Sequence, residues 1–541
     1  MLNDSWVEYL LIRATILALQ SVGPLSTAYA FSLLLQAFIL PTNETSKPLQ
    51  LIANLLVSVK PLQWYCFAEA AFYVFLRYYR IHLQGEAIHP PLRSKVDRQA
   101  LFQNVRAEIH DPTRFISGWF RGAEIEEIGR DDLKDYLSWA FWEGRTTAED
   151  EVELEEITKE VEKMIGKRKF KPGRGSVKSI RLTLDHVEMD HRSLLWYSII
   201  LLIDTTTHLR LLIYGMRYYC TLPTSFGVFP PRPLALATAS GRSPAPKLSY
   251  WLRPHTSKTR LPVLYLHGIG VGLHPHVEFL HQLDAKLNAN TPPNDQVGIM
   301  CIEILQISSR LTHSILDRSE FLTQLTQVLD QHDFKRLVLL SHSYGSVLST
   351  HMLTDDAMAA RVAATLMVDP VTILLHMPDV AYNFTARAPT HANEWQLWYF
   401  ASKDPGTAHT LGRHFFWSQN VLWRERIMEL VDRGMRLTAS LSSRDLIVDT
   451  EAVGRYLVNH EIPDPVLLKD KKANQEHMEL EVASKKKKEK REVGEAWKVR
   501  KFGGKGLEVL WWEDLDHAQV FDQAGSRAKL VDVLVEYSRS S

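Results

Sequence analysis

Residues 336–346 read Arg-Leu-Val-Leu-Leu-Ser-His-Ser-Tyr-Gly-Ser, and this stretch decides the fold. Its first half predicts a short strand that is apolar on both faces, as in the middle of a parallel sheet. The next apolar residues recur at helical spacing: Val347, Leu348, Met352. A strand, a tight turn and a helix are typical of a nucleophile elbow, which holds one side chain clear of the sheet edge. Ser343 is at the tip of this turn, between Ser341 and Gly345.

The second half of the chain alternates between short apolar runs and segments of helical spacing. The alternation predicts an α/β fold with a mostly parallel, doubly wound sheet. The predicted strands are 261–266, 297–305, 337–340, 363–368, 436–441 and 507–512, with helices at 276–287, 321–329 and after the elbow. Residues 371–430 interrupt the rhythm and are rich in aromatic side chains.

Four separated segments resemble the α/β-hydrolase superfamily. They are Val-Leu-Tyr-Leu-His-Gly-Ile-Gly (263–270), Leu-Leu-Ser-His-Ser-Tyr-Gly (339–345), Ser-Ser-Arg-Asp (442–445) and Asp-Leu-Asp-His (514–517). Their order is that of the family: oxyanion loop, serine, acid, histidine. The resemblance covers roughly residues 245–541 and implies that about 371–430 form a helical cap over the site. Ser341 departs from the family pattern, which has glycine there.

The resemblance and the strand positions together suggest a catalytic triad. A serine hydroxyl becomes a nucleophile when an imidazole takes its proton, so we expect Ser343 to attack and His517 to act as base. Asp445, directly after a predicted strand, is expected to orient His517. Asp449, four residues further on, is the alternative acid.

Two backbone N–H groups are expected to stabilise the charge that develops on a substrate carbonyl oxygen. One is that of Tyr344, the residue after the nucleophile. The other comes from the loop Gly268-Ile269-Gly270, in which the sequence leaves the donor open. The same glycines are also compatible with a plain strand–helix turn, and their spacing does not fit a dinucleotide-binding loop.

The first 85 residues predict a membrane-associated segment. No charged residue occurs from Ala14 to Leu40, which is long enough to cross a bilayer. A weaker apolar region, 51–76, is a second candidate and is followed by arginines, which predicts a cytosolic catalytic domain. The alternative is that both segments are buried helices of a soluble domain.

Three regions are therefore predicted: residues 1–85, a helical region with a linker at 86–245, and the hydrolase domain at 246–541. Aromatic residues between 115 and 142 predict helices whose apolar face belongs to the core, or else rests on lipid. A highly charged insertion at about 469–500 predicts a solvated segment.

Composition excludes several classes of function. The 541 residues carry a net formal charge of zero, so no overall field would attract nucleic acid. The 3 cysteines have no metal-binding spacing, and neither a cofactor nor a metal is expected. The histidines and aspartates between Asp185 and His191 form a charged loop in this interpretation, with no further ligands nearby.

The sequence predicts a membrane-anchored serine hydrolase that cleaves esters, with a lipid or another hydrophobic acyl ester as substrate. The oligomeric state is not predicted. The alternative is a non-catalytic scaffold or binding protein of the same fold at a membrane. A peptidase or thioesterase would use the same triad.

Overall fold

The computed structural model describes residues 5–39, 60–458 and 495–539. Parts of two predicted segments lie outside these ranges: residues 51–59 of the second apolar region, and 469–494 of the charged insertion.

A single sheet of nine strands forms the centre of the molecule. Its strands in chain order are β1 Arg217–Cys220, β2 Gly241–Arg242, β3 Ser249–Arg253, β4 Val263–Leu266, β5 Ile299–Glu303, β6 Leu337–His342, β7 Val362–Val368, β8 Arg436–Ser442 and β9 Leu507–Trp512. Their order across the sheet is β2-β1-β3-β5-β4-β6-β7-β8-β9. Strand β3 runs antiparallel to both its neighbours, and every other pair is parallel. The predicted mostly parallel, doubly wound sheet is confirmed.

Helices connect the strands and form most of the first 213 residues. The N-terminal helices are α1 Trp6–Ile39, α2 Lys60–His82, α3 Lys95–Glu108, α4 Pro112–Trp119, α5 Arg130–Trp142, α6 Glu151–Ile165 and α7 Leu194–Ile213. Those of the sheet region are α8 Leu222–Phe226, α9 Pro233–Ala237, α10 Val277–Leu287, α11 Arg318–Gln331, α12 Gly345–Leu353, α13 Asp356–Ala359, α14 Pro378–Ala381, α15 Ala392–Leu397, α16 Pro405–Arg413, α17 Trp417–Asn420, α18 Arg424–Asp432, α19 Thr450–Val458 and α20 Ala524–Ser538.

The strands are buried on both faces, which explains their unbroken apolar runs. In β4, Leu264 and Leu266 enter the core on one face of the sheet, and Val263 and Tyr265 enter the core on the other. The first core also includes many side chains of α3 to α6, so the helical region and the sheet share one apolar interior.

The aromatic residues between 115 and 142 belong to this core. They are all at most 7 % exposed: Phe115, Trp119, Phe120, Tyr136, Trp139, Phe141, Trp142. Of the two interpretations offered by the sequence, the core interpretation is therefore confirmed for these side chains.

The sheet begins earlier than the sequence suggests. Strand β1 ends directly before residues 221–245, whose Pro, Ser and Thr content suits a linker, and β2 lies within that stretch. Both strands are short, so the hydrophobic pattern of the sequence does not reveal that β2 pairs with β1 and β1 with β3.

Helix α1 is the longest helix within the described residues. Its 30 residues Trp6–Leu35 are long and apolar enough to cross a membrane, and within the described residues no other helix meets that test. Length and composition of this kind are also found in core helices and signal sequences. On one side α1 packs against α2, α7 and the short helix α15.

Candidate active site

The turn after β6 has the geometry predicted for a nucleophile elbow. Ser343 has φ of +51°, in the left-handed region that non-glycine residues rarely occupy. The Ser346 hydroxyl donates to the Ser343 carbonyl oxygen at 2.6 Å and accepts the Val371 N–H at 3.1 Å, which fixes the turn. A Cβ at Gly345 would lie 2.1 Å from the carbonyl oxygen of Leu266, so only glycine allows α12 to approach β4 this closely.

Three side chains from distant parts of the chain meet at this elbow. Ser343 Oγ lies 2.8 Å from His517 Nε2, and His517 Nδ1 lies 2.7 Å from Asp445 Oδ2. An ionised carboxylate only accepts hydrogen bonds, so Nδ1 carries a proton, and in the neutral imidazole Nε2 is free to accept the serine proton. The structure thus brings together the three residues that the sequence analysis selected.

Asp445 is held by backbone as well as by histidine. Its Oδ1 accepts the N–H groups of Ile447 at 2.8 Å and Val448 at 2.9 Å, and its side chain is fully buried. Asp449, the alternative acid, instead pairs with Arg114 at 3.0 Å and accepts the Ala452 N–H in the first turn of α19.

Two further carboxylates surround His517, and the sequence analysis missed both. Asp369, at the end of β7, accepts the Ser442 hydroxyl at 2.9 Å and the Ala518 N–H at 2.8 Å. Asp516 accepts the N–H of His517 itself at 2.7 Å. The position of Asp369 directly after a predicted strand was the available signal, because residues at the carboxyl ends of parallel strands line the sites of such sheets.

The three carboxylates govern the charge of His517. Burial lowers the pKa of this histidine, but the charge of Asp445 and its hydrogen bond outweigh burial, and the pKa is raised to about 9. Burial raises the pKa of Asp369 to about 7, with His517 acting in the opposite direction. An imidazolium formed during a reaction would therefore be strongly stabilised here.

One atom each of Asp369, Asp445 and His517 lies within 4.8 Å of the others, which is close enough for a shared metal ion. These atoms also make the hydrogen bonds described above, and both nitrogens of His517 are used in them. The arrangement is therefore better suited to moving a proton than to binding a cation.

The loop after β4 lies against the elbow. His267 accepts the Ile304 N–H at Nε2, so its Nδ1 carries a proton and donates to the Gly268 carbonyl oxygen at 2.8 Å. Burial lowers the pKa of His267. This histidine shapes the loop and is not placed to serve as a base.

Geometry narrows the choice of oxyanion donor within the loop. The Gly270 N–H already donates to the Ile307 carbonyl oxygen at 3.0 Å. A Cβ at Gly268 would lie 2.7 Å from Ser343 Cβ, which shows how closely this residue packs behind the nucleophile. Ile269 borders the cavity in front of Ser343, as does Tyr344 on the other side.

An apolar cavity of about 580 Å³ opens in front of Ser343, and we call it the Ser343 cavity. The segment 371–430 provides much of its wall, as predicted for a cap, but α4, α5 and the loop after α6 also contribute. Its lining residues are Trp119, Trp139, Leu182, Ile269, Ser343, Tyr344, Val371, Leu375, Val380, Ala381, Phe384, Thr385, Leu411, Phe415, Trp417 and Ile447.

Other aromatic residues of the cap do not line this cavity. Trp395, Trp398 and Tyr399 pack beneath α1 and α7, and Trp423 stacks on His376 with ring centroids 5.1 Å apart. In the structure these side chains join the cap to the rest of the molecule.

The strand order, the antiparallel β3, the elbow after β6 and a site at the carboxyl ends of the strands define an α/β-hydrolase fold. The resemblance drawn from four short segments is thus confirmed at the level of the fold.

Solved structures with this fold are similar to the chain only distantly. A carboxylesterase of Nitrososphaera gargenis aligns over 54% of this chain and 95% of its own, with 12% identity and a TM-score of 0.31. A carboxylesterase of Bacillus subtilis aligns over 62% and 98%, with 9% identity and a TM-score of 0.31. A bacterial membrane phospholipase A aligns over 64% and 94%, with 9% identity and a TM-score of 0.35. No protein-family model and no curated protein sequence matches the chain.

Proposed function

We propose that this protein is a serine hydrolase that cleaves carboxylic esters of hydrophobic acyl groups through an acyl-enzyme on Ser343. The observation that carries the proposal is the unbroken line from Ser343 Oγ through His517 to Asp445, with contacts of 2.8 Å and 2.7 Å. A non-catalytic scaffold would have no need of a strained serine held in this line.

The first half of the reaction forms the acyl-enzyme. His517 Nε2 takes the proton of the Ser343 hydroxyl while Oγ attacks the ester carbonyl carbon, and the carbonyl oxygen gains negative charge. The N–H groups of Tyr344 and Ile269 meet that oxygen in our proposal, since Gly270 is already engaged. His517 then gives its proton to the departing alcohol, and the acyl group stays on Ser343.

The second half repeats these steps with water. His517 takes a proton from a water molecule, the hydroxide attacks the acyl carbon, and the carboxylic acid leaves as the proton returns to Ser343 Oγ. Asp445 holds the imidazole in the required tautomer and stabilises its positive form.

Apolar walls of the Ser343 cavity support a hydrophobic acyl group as substrate. Helix α1 supports a membrane location, with a lipid ester as the physiological substrate class.

Hydrolysis of p-nitrophenyl esters tests this function. We expect a burst of p-nitrophenol equal to the enzyme concentration, followed by a slower steady rate, with acyl chains longer than acetyl preferred. Ser343→Ala should abolish both phases, whereas Ser346→Ala should keep the burst at a reduced rate. No turnover above Ser343→Ala for any acyl length would favour the non-catalytic scaffold.

A further inference from the structure

Helix α7 has two dissimilar faces. Its inner face packs on the hydrolase body and on α1 through Trp196, Tyr197 and Ile200. Its outer face leaves large apolar side chains in the open, and these follow one helical stripe: Leu195 41 %, Ile199 37 %, Leu202 64 %, Leu209 43 % and Ile213 79 % exposed. A stripe of this length on a water-facing helix would be costly to leave uncovered.

Charge is absent from this stripe. Asp204 is the one acidic residue of α7, and it turns inward, where Arg310 at 2.6 Å and Arg232 at 3.0 Å neutralise it. The first charged side chain on the outer half is Arg210, near the end of the helix, which pairs with Glu278 of α10 at 3.5 Å.

Hydroxyl groups on the outer half are satisfied within the helix. Ser198 Oγ donates to the Leu194 carbonyl oxygen at 2.9 Å, and Thr206 Oγ1 donates to that of Ile203 at 2.9 Å. Helix α1 shows the same pattern, since Thr27 Oγ1 donates to the Gly23 carbonyl oxygen at 2.8 Å. Such bonds satisfy these hydroxyl groups without water, as a lipid environment requires.

Helices α7 and α1 are neighbours. Ile12, Ile16 and Leu19 of α1 share one apolar cluster with the inner face of α7. The short helices α8 and α9, which follow α7 in the chain, also expose Leu222, Phe226 and Leu236. Lipid that surrounds α1 would therefore also meet α7.

We propose that α7 is a second membrane contact, whose outer face lies in the lipid of the leaflet on which the hydrolase domain rests. Among the described helices only α1 is long and apolar enough to cross a membrane, and α7 carries Asp204 and Arg210, so we place α7 against the bilayer and not across it. The domain is then seated on the lipid surface, and its orientation is fixed by two elements far apart in the chain.

Quenching by spin-labelled lipid tests this contact without measuring activity. Cys66, Cys220 and Cys301 are buried, so a cysteine introduced at an exposed position can be labelled selectively with the fluorophore NBD. Three full-length variants are compared in phosphatidylcholine–phosphatidylserine vesicles containing doxyl-labelled phosphatidylcholine. They have similar exposure at the changed residue: Leu202→Cys in α7 (64 %), Leu17→Cys in α1 (66 %) and Val152→Cys in α6 (67 %).

We expect doxyl lipid to quench the probe at Leu202 at least half as strongly as the probe at Leu17. The fluorescence of the probe at Val152 should fall by less than a tenth. If the probe at Leu202 is quenched no more than the probe at Val152, the proposal is wrong. This result would also be expected if a second copy of the protein, and not lipid, covered α7. Quenching at Leu202 without quenching at Leu17 would support α7 and refute anchoring by α1. These results do not depend on activity, so they would be the same if the protein proved not to hydrolyse esters.

Discussion

Replacing Asn393 by alanine should weaken the triad from outside the cavity. Its side-chain N–H donates to Asp516 Oδ2 at 2.8 Å, from the short cap helix α15. The other oxygen of Asp516 accepts the N–H of His517 at 2.7 Å and that of Leu446 at 3.1 Å. This carboxylate therefore joins the loop of the base to the loop of the acid, and Asn393 holds it in place.

The size of the effect follows from the bond that is lost. A hydrogen bond to a buried charged group contributes about 1.5–3 kcal/mol. Each 1.36 kcal/mol changes a rate tenfold, so kcat/KM should fall by about 10-fold to 100-fold. Most of the loss should be in kcat, because Asn393 is not among the residues that line the Ser343 cavity.

Helix α15 also packs against α1, where the Arg13 guanidinium lies 3.7 Å from the centre of the Trp395 ring. Helix α1 and the loop that carries His517 thus both contact the same short segment of the cap. A change in this segment should therefore alter activity, even though the segment is distant in sequence from Ser343, Asp445 and His517.

The assay is steady-state hydrolysis of a soluble butyrate ester, combined with thermal unfolding of each variant. Asn420→Ala is the matched control: it removes a buried bond of 2.9 Å to His351 and should lower stability while kcat/KM of the folded protein is kept. A folded Asn393→Ala protein with kcat/KM within twofold of wild type would refute the reasoning.

The remaining predictions concern the loop, the base, the elbow and the cavity. Gly268→Ala places a Cβ 2.7 Å from that of Ser343, so kcat should fall by more than about 100-fold in a protein that is still folded by circular dichroism. Because only neutral His517 accepts a proton and its pKa is raised to about 9, kcat/KM should rise about tenfold per pH unit up to that pH; a profile that is flat from pH 7 to 9 would contradict the charge assignment. Ser343→Gly should raise the free energy of unfolding by about 1 kcal/mol in denaturant titrations, because φ of +51° strains serine and not glycine; an unchanged or lower value would count against strain at the elbow. Trp417→Ala should move the preferred p-nitrophenyl ester towards longer acyl chains, because Trp417 also borders a second apolar cavity of about 510 Å³; an unchanged preference would mean that the two cavities do not communicate.

The sequence predicted the sheet well because buried parallel strands leave a strong local signal. Strand 507–512 has the bounds predicted for it, and strands 337–342, 362–368 and 436–442 differ from prediction by one or two residues. Strands 217–220, 241–242 and 249–253 were missed; the first two have four and two residues, which are too few to show a period of two.

The site was only partly accessible to sequence reasoning, for a physical reason. Ser343, Asp445 and His517 each follow a recognisable strand, so topology predicts that they meet. Asp516 and Asn393 are hydrogen-bonded although they lie 123 positions apart in the chain, and no local sequence pattern predicts such a contact. Trp119 and Trp139 look like ordinary core residues, which they are, and the wall of a cavity in the core has the same composition as the core itself.

The central claim is that Ser343 is a nucleophile activated by His517, and covalent labelling tests it most directly. A fluorophosphonate forms a stable bond only with an activated serine, and mass spectrometry then locates it in the chain. We predict one adduct per molecule, on the peptide that contains Ser343, and its loss in both Ser343→Ala and His517→Ala. A folded wild-type protein that takes up no label, or a label that persists after Ser343→Ala, would contradict the account.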